Sequence, residues 1–260
     1  MRIFMKGKNS DFKYAKGESD IYGSTFHTCY EIFFLLSGKA EFINEKTRTE
    51  ISPGHLVIIP PGGYHQFIAE NVKSYERCVL NIFPSLLGEE LLHKAFDGKD
   101  IVKLSGRSRI KDNLIHLMNC LKNVENGDFA YICDSVATDI VFGIKNLSPS
   151  GNSLPEFLPA KMVDVMGYIN EHFTENVTVD MLSEMFHISV SSLCHNFKES
   201  YGISIKKFIL EKRMNASNMA LQQGENPEEV CEKFGFSNYS TFYRDYKKHF
   251  GIAPSETVRN

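Results

Sequence analysis

The chain has 260 residues, 42% of them hydrophobic, and a formal net charge of -3. That length and apolar content support a buried core divided between two domains, while the small negative charge excludes nucleic-acid binding by bulk basicity. No stretch approaches the ~20 apolar residues of a membrane span and residues 1–12 hold no apolar run of signal-peptide length, so a soluble protein of the cytoplasm is expected.

Between residues 22 and 84 short apolar runs alternate with turn residues. Runs at 31–36, 40–43, 48–51, 56–59, 65–69 and 75–83 are broken by Ser37-Gly38, Pro53-Gly54 and Pro60-Pro61-Gly62-Gly63, the pattern of an antiparallel sandwich or barrel. The spacings His27-x3-Glu31-x6-Gly38 and Gly54-x5-Pro60-x-Gly62-x2-His65 resemble the two motifs of the cupin barrel. That resemblance implies a small β-barrel whose interior holds a ligand or a metal. Two positions depart from it: the first motif's other histidine is Thr25, and the asparagine expected four residues after His65 is Ala69.

Alternation along a strand sends His27, Cys29, Glu31 and Phe33 to one face, where His65 joins them if that face lines the barrel. An acid, two imidazoles and a thiol among apolar walls suit a small-molecule pocket, and these five residues are the candidate ligand-binding set. Carboxylate and imidazole groups bind hydroxyls, so a carbohydrate is one candidate ligand class. The same residues have the composition of a two-histidine, one-carboxylate metal site. The missing histidine counts against it, and neither a metal nor another cofactor is expected. The bland alternative is a polar remnant of the barrel that only holds turns. The six cysteines lack CxxC spacing and read as reduced, mostly buried thiols.

From residue 85 to 146 the apolar period changes to that of helices: a short one through Leu86-Leu87, Leu91-Leu92 and Phe96, a second through Ile110, Leu114, Leu117 and Leu121, and a third through Ile132, Val136, Ile140 and Ile144. The last two are expected to pair, either as a dimer surface or as a cap on their own barrel. Residues 148–159, rich in Pro, Ser and Gly, are expected to link a first domain, 1–147, to a second, 160–260.

The second domain carries 11 Lys or Arg against 13 Asp or Glu, so charge placement has to carry any case for DNA. Two helix-turn-helix units repeat at an offset of 49 positions, which sets Leu193 on Phe242, His195 on Arg244, Phe197-Lys198 on Tyr246-Lys247 and Gly202 on Gly251. In the first, residues 179–186 support and 190–201 read, with Ser189 as N-cap. In the second, Pro227, Glu228 and Glu229 open the supporting helix, Gly235 ends it, and Asn238 caps a reader whose Phe242, Tyr246 and Phe250 form a buried stripe. A longer helix, about 204–222, joins the units through Ile205, Phe208, Ile209, Met214 and Met219, and places two readers one turn of DNA apart, roughly 34 Å.

Gly235-Phe236, Ser240, Phe242, Arg244, Tyr246-Lys247-Lys248, Gly251 and Pro254, with Leu193, Phe197-Lys198, Gly202, Phe208, Arg213 and Ala216 in the first unit, resemble the C-terminal signature of the AraC/XylS family of bacterial transcription regulators. The resemblance covers residues 160–260. It implies DNA contacts by Val190, Ser191, Cys194, His195 and Lys198 in the first reader and by Tyr239, Ser240, Tyr243, Arg244 and Lys247 in the second. His195 stands where the family commonly has arginine, which implies a weaker or pH-dependent readout there.

The expected fold class is therefore α+β in two domains: a cupin-like barrel with a helix pair, then an all-α double helix-turn-helix domain. The expected protein is not an enzyme but a homodimeric, sequence-specific regulator of transcription that binds double-stranded DNA and a small-molecule effector, with activation the direction the family implies and RNA polymerase a further partner. The alternatives are a metal-dependent cupin enzyme with a DNA-binding tail, and a regulator controlled by a protein partner, for which a barrel filled by Phe33, Phe42 and other large side chains would speak.

Overall fold

The computed structural model describes residues 1–17, 27, 29–104, 106–147 and 156–257. The chain divides into two compact units, Met1–Glu156 and Phe157–Asn260, the first rich in sheet and the second helical, as the α+β reading requires.

In the first unit the strands are β1 (Arg2–Lys6), β2 (Ser10–Lys16), β3 (Tyr30–Ser37), β4 (Ala40–Asn44), β5 (Thr47–Ile51), β6 (His55–Ile59), β7 (His65–Ala69), β8 (Glu76–Ile82) and β9 (Ile101–Lys103). Six form one sheet in the order β1-β2-β8-β3-β6-β9, and in a second sheet β4 lies between β5 and β7. The pairs are antiparallel, with Glu31 opposite Asn81 on one side and Ile59 on the other. Alternation then decides what each face buries. Phe33 and Leu35 of β3 meet Phe42, Ile51, Val57, Ile59, Tyr75 and Val79 between the sheets, whereas Tyr30, Ile32 and Phe34 turn to the opposite face.

That opposite face is covered by α1 (Glu89–Phe96), α2 (Arg109–Asn123) and α3 (Asn126–Lys145). Ile110, Leu114, Leu117, Phe129, Ala137, Ile140 and Ile144 pack with Phe12, Leu80 and Ile82 of the sheet in one core. The helices do pair: Arg109 Nη2 lies 2.6 Å from Asp139 Oδ1, and Asn113 Nδ2 donates to Asp139 Oδ2 at 2.5 Å. Their apolar stripes are consumed within their own domain. What α3 leaves exposed is a narrower line of Tyr131, 78% exposed, and Phe142.

The strands expected from the sequence start at residue 22, and β1 and β2 precede them. Ser10–Lys16 pairs along its whole length with β8 and buries Phe12 and Tyr14. The turn between β1 and β2 is held from α3, since the Ser10 hydroxyl donates to Asp134 Oδ1 at 2.6 Å and Asn9 Nδ2 to Oδ2 at 2.9 Å. Residues 22–26 of the expected first run, and 148–155 of the expected linker, lie outside the described residues.

The second unit consists of α4 (Ala160–His172), α5 (Val179–Phe186), α6 (Val190–Tyr201), α7 (Ile205–Gln222), α8 (Pro227–Lys233), α9 (Tyr239–Phe250) and α10 (Pro254–Thr257). The caps are those the sequence offers. Thr178, Ser189, Ser204, Asn226 and Asn238 each accept a backbone N–H of the helix that follows, contacts worth about 1 kcal/mol apiece. The two turns differ in detail. His187 takes the left-handed conformation after α5, two residues before its N-cap, whereas Gly235 does so after α8, three residues before Asn238. On α7 the expected contact by Met219 is not made: it is 41% exposed, and Ala220 and Leu221 fill that part of the core. The helical period turns residue 219 outward once Met214 and Leu221 point in.

Candidate DNA-reading surface and effector site

Each reader helix is fixed by its apolar side and presents its polar side. In α6, Leu193, Phe197 and Tyr201 are buried, and the Tyr201 hydroxyl donates to the Met162 carbonyl on α4 at 3.1 Å. Val190, Ser191, Cys194, His195 and Lys198 all lie on the exposed side. In α9, Phe242 and Tyr246 are buried, and the Tyr246 hydroxyl meets Asn218 Oδ1 at 2.7 Å and Thr257 Oγ1 at 3.0 Å. Ser240, Tyr243, Arg244, Lys247 and Lys248 are exposed, while Tyr239 is half-buried against Phe242 and Tyr243.

The two readers are electrostatically unequal. Arg244 is 73% exposed, with one contact at 3.3 Å to the neighbouring Asp245, and Lys247 and Lys248 extend its positive face. On α6 the only formal cation is Lys198, and His195 faces Glu199 at 3.8 Å. The exposed face of α9 is therefore the more positive of the two.

Within the second unit a single side chain ties α7 to the segment after α4 and to the turn after α8. Arg213 on α7 donates through Nε to the Phe173 carbonyl at 2.6 Å, through Nη2 to Glu175 at 2.6 Å, and through Nη1 to Gly235 at 2.7 Å. The last carbonyls of the segment after α4 and of the turn after α8 are thereby satisfied by one planar fork. The sequence marked Arg213 only through resemblance; its partners, 22 to 40 residues away, are invisible to local pattern.

In the first unit three of the five ligand candidates converge. Glu31 Oε2 lies 3.5 Å from His27 Nε2, and Glu31 Oε1 lies 3.5 Å from His65 Nε2. The imidazole rings are 4.8 Å apart. Burial by itself raises the Glu31 carboxyl, but the hydrogen bond from His65 and the charges of His65 and His27 outweigh it and hold the group at about 2. Burial also lowers His27 below its ordinary range, opposed by the Glu31 charge. Cys29 is a buried thiol, pushed up to about 12 by burial and then by Glu31, and is no nucleophile.

Phe33 lies below this cluster in the barrel core. It is 1% exposed and stacks on Phe67 with ring centroids 3.8 Å apart, and Phe67 meets Phe42 at 5.1 Å. Space opens instead beside His65, in a cavity of 320 Å³ whose walls include Phe42, Ile59 and Tyr64 and whose polar groups include Asn44, Lys46 and Asp100. Of these lining residues the sequence pointed only to Phe42, as a filler of the barrel, because the β4–β5 turn and the segment after Pro60 meet only through the pairing of β4 with β7.

Among known protein families, the one described as an AraC-like ligand binding domain matches residues 9–131, and the one described as a helix-turn-helix domain matches residues 182–260. The uncharacterized HTH-type transcriptional regulator YdiP of Escherichia coli is 24% identical over 237 residues, covering 88% of this chain and 78% of its own. The Msm operon regulatory protein of Streptococcus mutans is 23% identical over 251 residues, covering 90% of this chain and 86% of its own. A crystal structure of ToxT from Vibrio cholerae aligns at 15% identity over 100% of this chain and 97% of that one, with a TM-score of 0.41. The relatives are named as regulators, and no enzymatic activity is attached to those names. With an AraC-like ligand binding domain followed by a helix-turn-helix domain, the chain belongs to the AraC family of transcriptional regulators.

Proposed function

We propose that the chain is a sequence-specific, one-component regulator in which a small polar molecule bound by the first domain alters how α6 and α9 engage adjacent major grooves. The observation that carries the reading is the polar face of α9, where Ser240, Tyr243, Arg244 and Lys247 stand exposed on a helix whose other side is locked by Phe242 and Tyr246. A helix so held can enter a major groove without rearranging its core. The proposed base contacts are Val190, Ser191, Cys194 and His195 on α6 and Tyr239, Ser240, Tyr243 and Arg244 on α9, with Lys198 and Lys247 on phosphates.

Arg244→Ala is expected to weaken binding to the cognate site by about 1–3 kcal/mol and to relax base preference, as the loss of a bidentate base contact does. Lys247→Ala is expected to weaken all sequences alike and to reduce the salt slope by about one. Fluorescence anisotropy across a salt series separates the two, and unchanged affinity in both variants would remove α9 as the reader.

For the effector, the 320 Å³ cavity beside His65 lies at the small end of ligand sites and suits a compact metabolite such as a monosaccharide. A ligand regulates only if it binds the DNA-competent and DNA-incompetent arrangements unequally, so it must also shift DNA affinity. Thermal-shift screening against sugars and other small metabolites is expected to find one class that does both. Activation, a homodimer using the Tyr131 and Phe142 side of α3, contact with RNA polymerase and a cytoplasmic location complete the proposal; among the described residues no helix is long and apolar enough to cross a membrane. A second reading, control by a protein partner, draws on the filled interior around Phe33, Phe42 and Phe67. It is favoured if no small molecule shifts the first domain.

A further inference from the structure

A cavity of 380 Å³ opens in the helical unit where the first turns of α5, α6 and α7 meet. Its floor is apolar. Val179, Ile205 and Ile209 are buried there, and Val190, 42% exposed, leaves a β-branched side chain open to water at the wall. An apolar group seated against them would be withdrawn from water on several sides at once.

Two exposed charges of opposite sign also line the cavity. Asp180 lies in the first turn of α5 and Lys206 in the first turn of α7, and among the described residues neither is held in an ion pair. Asp180 suits its place, because a carboxylate is stabilised at the positive end of a helix. Lys206 does not. With Lys207 beside it and no acid in that turn, α7 begins with two cations where the helix dipole is already positive, and an anion is what such a terminus lacks.

A DNA phosphate would supply the anion, but the surroundings fit it poorly: apolar walls give a phosphate nothing, and Asp180 repels it. A zwitterion with an apolar body answers the whole lining. The volume lies at the small end of ligand sites, which suits a molecule the size of a single amino acid.

We propose that this cavity binds an α-amino acid with an apolar side chain, its carboxylate at Lys206 and its ammonium at Asp180. A molecule there covers Val190 and Cys194, two of the side chains assigned above to base contacts, so its presence competes with entry of α6 into the groove. The binding stands without the regulator reading, whereas the competition rests on it.

The test is calorimetric titration of the full-length chain with leucine, phenylalanine and tryptophan, each also as its amide and as its N-acetyl derivative, with no DNA present. At least one free amino acid is expected to bind at one site per chain. Its affinity is expected to fall about fivefold or more with either blocking group, in Lys206→Gln and in Asp180→Asn, and to be unchanged in Glu229→Gln, an exposed position of α8. Cys194 reports the location: it is exposed while the other five cysteines are buried, so bound ligand is expected to slow its alkylation by iodoacetamide. Absence of binding by all three amino acids overturns the proposal, and that result stands even if a variant fails to fold. Binding that survives both charge substitutions, or that leaves Cys194 alkylation unaltered, overturns it too, because the ligand then sits elsewhere. Weaker DNA binding by Lys206→Gln with no amino acid bound would make Lys206 a phosphate contact instead. None of these failures touches the DNA-binding reading, which the Arg244→Ala measurement decides separately.

Discussion

Gly235→Ala is expected to lower the melting transition of the DNA-binding domain by at least about 12 °C and to abolish DNA binding near physiological temperature. Two costs add at this position. Gly235 has φ of +74°, where an L side chain costs about 1–2 kcal/mol. A Cβ built there would lie 2.2 Å from the Thr174 carbonyl oxygen, a backbone atom that cannot rotate away. Relief requires the turn after α8 to part from the segment after α4, and the Arg213 fork bonds to both. A total of about 3 kcal/mol or more follows, and in a domain of this size each kcal/mol is worth about 4–8 °C. Gly251→Ala is the control: φ is similar at +79°, but nothing lies within 4 Å of the built Cβ, so only the conformational cost applies. Calorimetry of the full-length variants distinguishes them. Equal effects at the two glycines would mean that the Thr174 contact does not hold the turn.

The same contrast shows what the sequence could disclose. Caps such as Ser189 and Asn238 are local, since each serves an N–H three residues onward, so helix 190–201 was legible to the residue and the start of the second was legible from its cap. Arg213 was not, because its acceptors depend on how three helices pack. The strand pair β1 and β2 escaped for a related reason. Lys6, Lys8, Asp11 and Lys13 dilute the alternation of residues 1–16, and the apolar partners of Phe12 lie some seventy residues away on β8. At the barrel, alternation correctly set Glu31 and Phe33 on one face, and spacing brought His27 and His65 into the argument. That His27 turns its Nε2 toward Glu31 is decided by the carbonyl of Cys29, and no pattern of residue types encodes that.

Phe33→Ala addresses whether the inner face of β3 is a pocket or a core. A side chain standing at the wall of an open ligand pocket gives up little stability when truncated. Phe33 instead stacks on Phe67 and lies 6.5 Å from the Tyr75 ring, so its removal is expected to cost about 3–5 kcal/mol, a drop of about 6–20 °C in the transition of the first domain. The void would be lined by Phe67, Tyr75, Val57 and Val79, and an apolar cavity of this kind stays dry and accepts small aromatic molecules. Added benzene is therefore expected to raise the midpoint of Phe33→Ala while leaving the unaltered chain unmoved. A loss below about 1 kcal/mol with no response to benzene would mean that the interior is already open, and the effector would then belong among Phe33, Phe42 and Phe67. With the full loss and the benzene response, the interior is a packed core, and recognition is confined to the end of the barrel where His65 meets both the cavity and Glu31.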